Sequence, residues 1–201
     1  RQAACESFVL LKNDNNLLPL KKGGTIAVIG PHGNNRPMML GPWFYPHDIF
    51  RAATVVEGLK EAVGSKGKVV YARGCQPFES EEYAQRVYFG KEFEKDNRPD
   101  AEILAEALNT AKDADVIVAT LGESTEMSGE SSSRSILDLP KPQQELLKAL
   151  AKTGKPVVLV LFTGRPLTIN WEKENIPAIL NVWFPGTEAA YAIADVLFGD
   201  V

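Results

Sequence analysis

The sequence is poor in the residues that build metal and disulfide frameworks: among 201 residues there are two cysteines and two histidines. Cys5 and Cys75 lie far apart and form no metal-ligand spacing, so they read as unpaired thiols in or near packed regions and do not fix a redox compartment. His32 and His47 share one loop but lack supporting ligands, and they read as turn residues; no metal and no cofactor is expected. Basic residues are not in excess. With 22 Lys and Arg against 26 Asp and Glu, the net charge of -4 argues against nucleic acid as a partner, because such binding needs clustered cations to displace counterions. No apolar run reaches the ~18 residues that suggest a membrane span. Gly30-Pro31-His32-Gly33 lacks both G-x-G-x-x-G and G-K-[ST], which leaves nucleotide binding little support, and no G-x-S-x-G elbow occurs. There is no signal peptide: Arg1-Gln2-Ala3-Ala4-Cys5 reads like the middle of a helix and predicts a piece of something longer. Internal repeats and low-complexity segments are also missing.

What is present is a series of short apolar strands separated by helices. Thr25–Ile29, Lys68–Ala72, Asp115–Leu121, Pro156–Phe162 and Ala178–Trp183 are β-branched or apolar runs that suit strands buried on both faces. Thr54–Val63 predicts a helix, with Val55, Val56, Leu59, Ala62 and Val63 on one side. A helix begins near Asp100, which can cap it, and carries Ile103, Leu104, Ala107, Leu108 and Ala111 at helical spacing. Helices follow at 141–151, with Leu146, Leu147 and Leu150 inward and Gly154 as the stop, and at 187–198. Residues 3–11 read as a helix running into a short extended piece, and 79–100 as a surface helix and loop. The alternation predicts an α/β fold, a three-layer α/β/α sandwich on a mostly parallel, five- to six-stranded, flavodoxin-like sheet, with residues 1–201 forming one domain.

Ligands of open parallel sheets bind beyond the carboxyl ends of the strands. Two loops there are unusually long. Gly30–Phe50 carries the aromatic cluster Trp43-Phe44-Tyr45, and Gly122–Asp138 carries Glu123, Glu126 and Glu130, where two to six residues would be usual. An aromatic ring beside a carboxylic acid suits a sugar: the ring covers the apolar face of a pyranose and the acid protonates a glycosidic oxygen. The plainer readings are that Glu130 is a solvated loop carboxylate and Trp43 a packing residue. Arg134 reads as ordering the loop by pairing with a carboxylate.

Several segments come in the order of one known domain: Glu6–Asn13, Leu18–Leu20, Ile26–Pro31, Ser128–Arg134, Leu139-Pro140, Gly164–Pro166, Trp183–Glu188 and Ile193–Asp200. Together they resemble the C-terminal α/β sandwich domain of glycoside hydrolase family 3, in particular its periplasmic bacterial β-glucosidase branch, over nearly the whole chain. The resemblance implies a retaining, exo-acting β-glycosidase whose active site lies between an N-terminal (β/α)8 barrel and this domain. The barrel would supply the aspartate nucleophile and most sugar contacts. This domain would supply the general acid/base, matched by Glu130 in Ser128-Gly129-Glu130, on a flexible loop, and an aromatic near the aglycone, matched by Trp43. Glu123 and Glu126 would be loop carboxylates able to hold the Glu130 proton by like-charge repulsion. The implied partners are a β-linked oligosaccharide or glucoside and the barrel, in a periplasmic or secreted setting, and the chain without its barrel is expected to be inactive. A non-catalytic carbohydrate-binding or scaffold domain is the alternative, and a flavodoxin-like phosphate binder a second one. Where the family usually has two glycines after Glu188, this chain has Ala189-Ala190, which predicts a looser backbone approach there.

Overall fold

The five apolar runs pair side by side. In the computed structural model, which describes residues 1–44, 51–79 and 95–201, they form the parallel strands β2 (Gly24–Ile29), β3 (Gly67–Ala72), β4 (Val116–Gly122), β5 (Val157–Phe162) and β6 (Ala178–Asn181). The extended piece near the start is β1 (Val9–Asn13), which adds antiparallel to β6 and completes a six-stranded sheet of order β1-β6-β5-β4-β2-β3. Seven helices are described: α1 (Gln2–Ser7), α2 (Pro37–Leu40), α3 (Val55–Val63), α4 (Asp100–Lys112), α5 (Lys141–Ala151), α6 (Asn170–Asn175) and α7 (Ala189–Phe198). His47, Tyr45 and most of the expected surface helix at 79–100 lie outside the described residues.

The middle of the sheet is buried on both faces because its strands carry apolar residues at successive positions, not at alternate ones; all six residues of β5 are buried. One set of side chains (Ile26, Val28, Val118, Val160, Leu180) packs under α3 and α7, and the alternate set (Ala27, Ile29, Ile117, Ala119, Leu159) under α4 and α5. This is the three-layer sandwich. Each fully buried Val, Leu or Ile in it contributes roughly 1.5–3 kcal/mol of transfer free energy, so the two cores hold the sheet from both sides. Helix α3 starts at a capping box: Thr54 Oγ1 accepts from the Glu57 N–H, and Glu57 Oε2 accepts from the Thr54 N–H.

Three local expectations change. Asp100 is the first residue of α4 rather than its cap; Pro99 precedes the helix and no side chain caps it. The last strand ends at Asn181, because Trp183 takes a left-handed backbone (φ 58°) that a strand cannot continue through. Ala189 and Ala190 do not loosen the packing. The small residue is on the other helix: a Cβ placed on Gly58 of α3 would lie 2.4 Å from Ala190 O.

The chain visits β2, then β3 on one side, then returns past β2 to β4 on the other. The strand order reverses between β2 and β4, and loops leaving those two strands diverge to opposite faces. The crevice between them is where doubly wound sheets hold their ligands.

Candidate active site

The loop after β2 carries Trp43, and the loop after β4 carries Glu130, so both stand at the reversal point. Trp43 is 72% exposed and Glu130 is exposed. They are neighbours: a Cβ built on Gly129 would lie 3.0 Å from Pro42 Cβ and 3.7 Å from Trp43 Cε2. Gly129 also has φ 99°, a conformation open to glycine and strained for other residues. Pro42 and Trp43 therefore rest on the backbone of the residue that precedes Glu130. Beneath them, Phe184 fills the space between Gly41 and Gly164, each of which would place a Cβ within 3.2 Å of its ring atoms. An exposed indole and an exposed carboxyl share one rim, on a floor of close-packed glycines.

The long loop is not loose at its base. Glu123 is fully buried, and its Oε1 lies 3.0 Å from Arg134 Nη1 and 3.1 Å from Arg165 Nε, while its Oε2 accepts from the Gly164 N–H at 3.0 Å. Arg134 thus pairs with a carboxylate, as its place in the loop suggested, and its Nη2 also donates to Asp138 O. Removing one partner of such a buried ion group costs about 3–5 kcal/mol, because the remaining charge is left unpaired in a low dielectric. Glu123 was expected to hold the Glu130 proton by like-charge repulsion, but two guanidiniums take up its charge. Glu126 is also buried, turned away from the surface on a 3-10 turn at Thr125–Met127, and Ser132 Oγ donates to its backbone carbonyl at 3.2 Å. Of the three loop carboxylates only Glu130 reaches solvent. The loop expected to be flexible has an anchored base and an exposed tip.

Two further residues tie the site to the sheet, and neither was singled out as a site residue from the sequence. Gln143 at the start of α5 accepts from the Gly122 N–H through Oε1 and donates through Nε2 to Gly122 O and Pro77 O. It closes the backbone groups that β4 leaves open where it becomes the loop. His32 does sit in a turn, as expected, but fully buried. Its Nε2 lies 3.2 Å from Gly122 O, and since a carbonyl only accepts, Nε2 carries the proton. The ring meets Phe162 edge-on with centroids 5.8 Å apart. Burial, opposed by that hydrogen bond and assisted by the positive charge of Arg73, lowers the His32 pKa to about 4, so it is a neutral latch at physiological pH. Among the described residues no group of three or more His, Cys, Asp or Glu is placed to hold a metal.

The sequence model of the Glycosyl hydrolase family 3 C-terminal domain matches residues 8–201. The chain belongs to this family. The domain is 44% identical over all of its length to a periplasmic beta-glucosidase of Salmonella typhimurium, of which it covers 26%. It is 40% identical to a beta-xylosidase of Formosa agariphila, again matching along its whole length and covering 26% of that protein. The crystal structure of a beta-glucosidase from Listeria innocua in complex with isofagomine superposes with a TM-score of 0.80 at 34% identity, over 100% of this chain and 25% of that one. The family 3 domain thus spans about a quarter of the length of the relatives it matches. Its relatives are glycoside hydrolases named for glucosidase and for xylosidase activity.

Proposed function

We propose that the family 3 domain is the acid/base-bearing part of a longer retaining, exo-acting β-glycosidase, in which Glu130 handles the proton and Trp43 covers the aglycone side. The observation that carries this reading is the contact of Pro42 and Trp43 with Gly129, which sets an exposed ring beside the residue preceding Glu130, the one exposed glutamate of the loop. In the first step, protonated Glu130 gives its proton to the glycosidic oxygen as the C1–O bond breaks and a carboxylate of the partner barrel bonds to C1. In the second, Glu130 takes a proton from water, whose oxygen displaces the barrel carboxylate and releases the sugar. That sequence needs the two carboxyls about 5 Å apart across the crevice, which an exposed tip on a fixed base suits.

On this reading residues 1–201 act as one domain with an N-terminal barrel of the same enzyme as partner and a β-linked oligosaccharide or glucoside as substrate. The periplasmic name of the Salmonella typhimurium relative supports a periplasmic or secreted setting. Replacing Glu130 by Ala in the longer enzyme is expected to lower kcat/KM on poor leaving groups by about 10²–10⁴-fold, the usual worth of a general acid. Activated aryl glycosides should lose far less, and azide should restore turnover with formation of the glycosyl azide. A Glu130→Ala enzyme that keeps its activity on poor leaving groups would remove Glu130 from the mechanism. A binding or scaffold module would hold the sugar without the barrel, whereas a half-site would not, and calorimetry of the chain with β-glucosides separates the two.

A further inference from the structure

One guanidinium holds both shoulders of the tip that carries Glu130. Arg165 Nη2 donates to Met127 O and to Ser132 O, both at 2.8 Å, and these two carbonyls stand at either end of Ser128–Ser131. Ser132 N–H donates to Gly129 O at 3.3 Å, drawing the segment into a tight turn. Within that turn Glu130 lies between two left-handed residues, Gly129 (φ 99°) and Ser131 (φ 60°). Left-handed backbone at a non-glycine residue is unfavourable unless its surroundings hold it there, and here the ends of the turn are held by Arg165. Arg165 is in turn held by Glu123: Nε lies 3.1 Å from Oε1 without its N–H aimed at the oxygen, so the contact is one of charges. Glu123 is fixed from its far side by Arg134 and the Gly164 N–H. The chain of restraint runs from β5 through Gly164 and Glu123 to Arg165, and from Arg165 to both shoulders of the Glu130 turn.

We propose that Arg165, fixed by Glu123, is a positioning residue for the general acid, setting where the Glu130 carboxyl stands and leaving the chemistry to it. The inference rests on the reading of Glu130 as acid/base. Lysine cannot replace this arginine. A planar guanidinium presents fixed N–H directions to two carbonyls through Nη2 while its Nε lies against a carboxylate, whereas an ammonium is a point charge on a flexible stem. Displacing the acid should affect only the step in which the proton matters, so it should be felt with leaving groups that need protonation.

The test uses the longer enzyme with R165K, E123Q, E130Q and the double variant R165K/E130Q. Each is assayed on an alkyl and a dinitrophenyl β-glycoside of a sugar the unmodified enzyme cleaves. R165K is expected to lose ~10–100-fold in kcat/KM on the alkyl glycoside, the scale of a misplacement of about 1 Å, and less than about threefold on the dinitrophenyl glycoside. In the E130Q background the same change should add less than about twofold, since Arg165 acts through Glu130. Equal loss on both substrates, no loss on either, or full additivity with E130Q overturns the proposal. If R165K does not fold, E123Q is read by the same comparison of leaving groups. If E130Q loses both substrates equally, the acid/base assignment falls and the positioning role with it; if E130Q shows the split and R165K does not, the positioning role alone falls.

Discussion

His32 shows how one side chain links pH to the stability of the site. Its unfolded pKa is near 6.5 and its folded value about 4. Folding therefore excludes a proton that the unfolded chain binds between those values. The stability is fully present above pH 6.5 and falls as pH drops towards 4, by roughly 3 kcal/mol for a shift of this size. Denaturant melts of the chain at pH 7 and pH 4 should show that loss, and His32→Gln should flatten it. A Gln substitution that leaves the pH dependence unchanged would mean other groups carry it. Glu57, whose carboxyl the Arg36 guanidinium holds at about 2, adds its own loss once pH falls below its ordinary 4.5, so the part of the pH dependence that His32→Gln removes is what belongs to the histidine.

At the scale of elements, the loops after β4, β5 and β6 behave as one packed unit. Gly164 is where they close: a Cβ there would meet Ser128 Oγ at 1.8 Å and Phe184 Cε2 at 3.2 Å. Its φ is not left-handed, so the need for glycine is one of space and not of backbone conformation. Gly164→Ala should destabilise the domain by about 1–3 kcal/mol, the ordinary cost of overpacking. It should also weaken the Glu123 contact with the Gly164 N–H, because the added methyl pushes the β5 and β4 loops apart. Thermal denaturation measures the first effect, and protease sensitivity at Ser128–Arg134 the second. A neutral substitution would show that Ser128 has another place to go.

For the molecule as a whole, the switch between β2 and β4 brings Trp43 and Glu130 to one crevice, although 86 residues of sequence separate them. What the crevice does not contain, on the reading above, is a nucleophile. Mixed with an aryl β-glucoside, the purified chain should release aryl alcohol no faster than buffer, and covalent linkage to a family 3 barrel should restore turnover. Significant hydrolysis by the chain alone would contradict the assignment of the nucleophile to the barrel.

The sequence by itself determined the layers and the candidates. Uninterrupted apolar runs such as Val157–Phe162 can only be buried on both faces, and the helical spacing of Leu146, Leu147 and Leu150 fixes which side of α5 faces the sheet. Loop length and composition marked 122–138, and the resemblance carried by Ser128-Gly129-Glu130 marked its candidate acid. Local pattern did not reveal what each loop carboxylate does, because Glu123, Glu126 and Glu130 look alike as a series in a Ser-rich stretch. Only tertiary contact separated them, since pairing depends on which distant charge comes within about 3 Å. Arg165, which lies beyond α5 and β5 in the chain, arrives at Glu123 because β4 and β5 are neighbours in the sheet. A salt bridge between neighbouring strands' loops has no signature along the chain, and the same is true of Gly129 lying under Trp43.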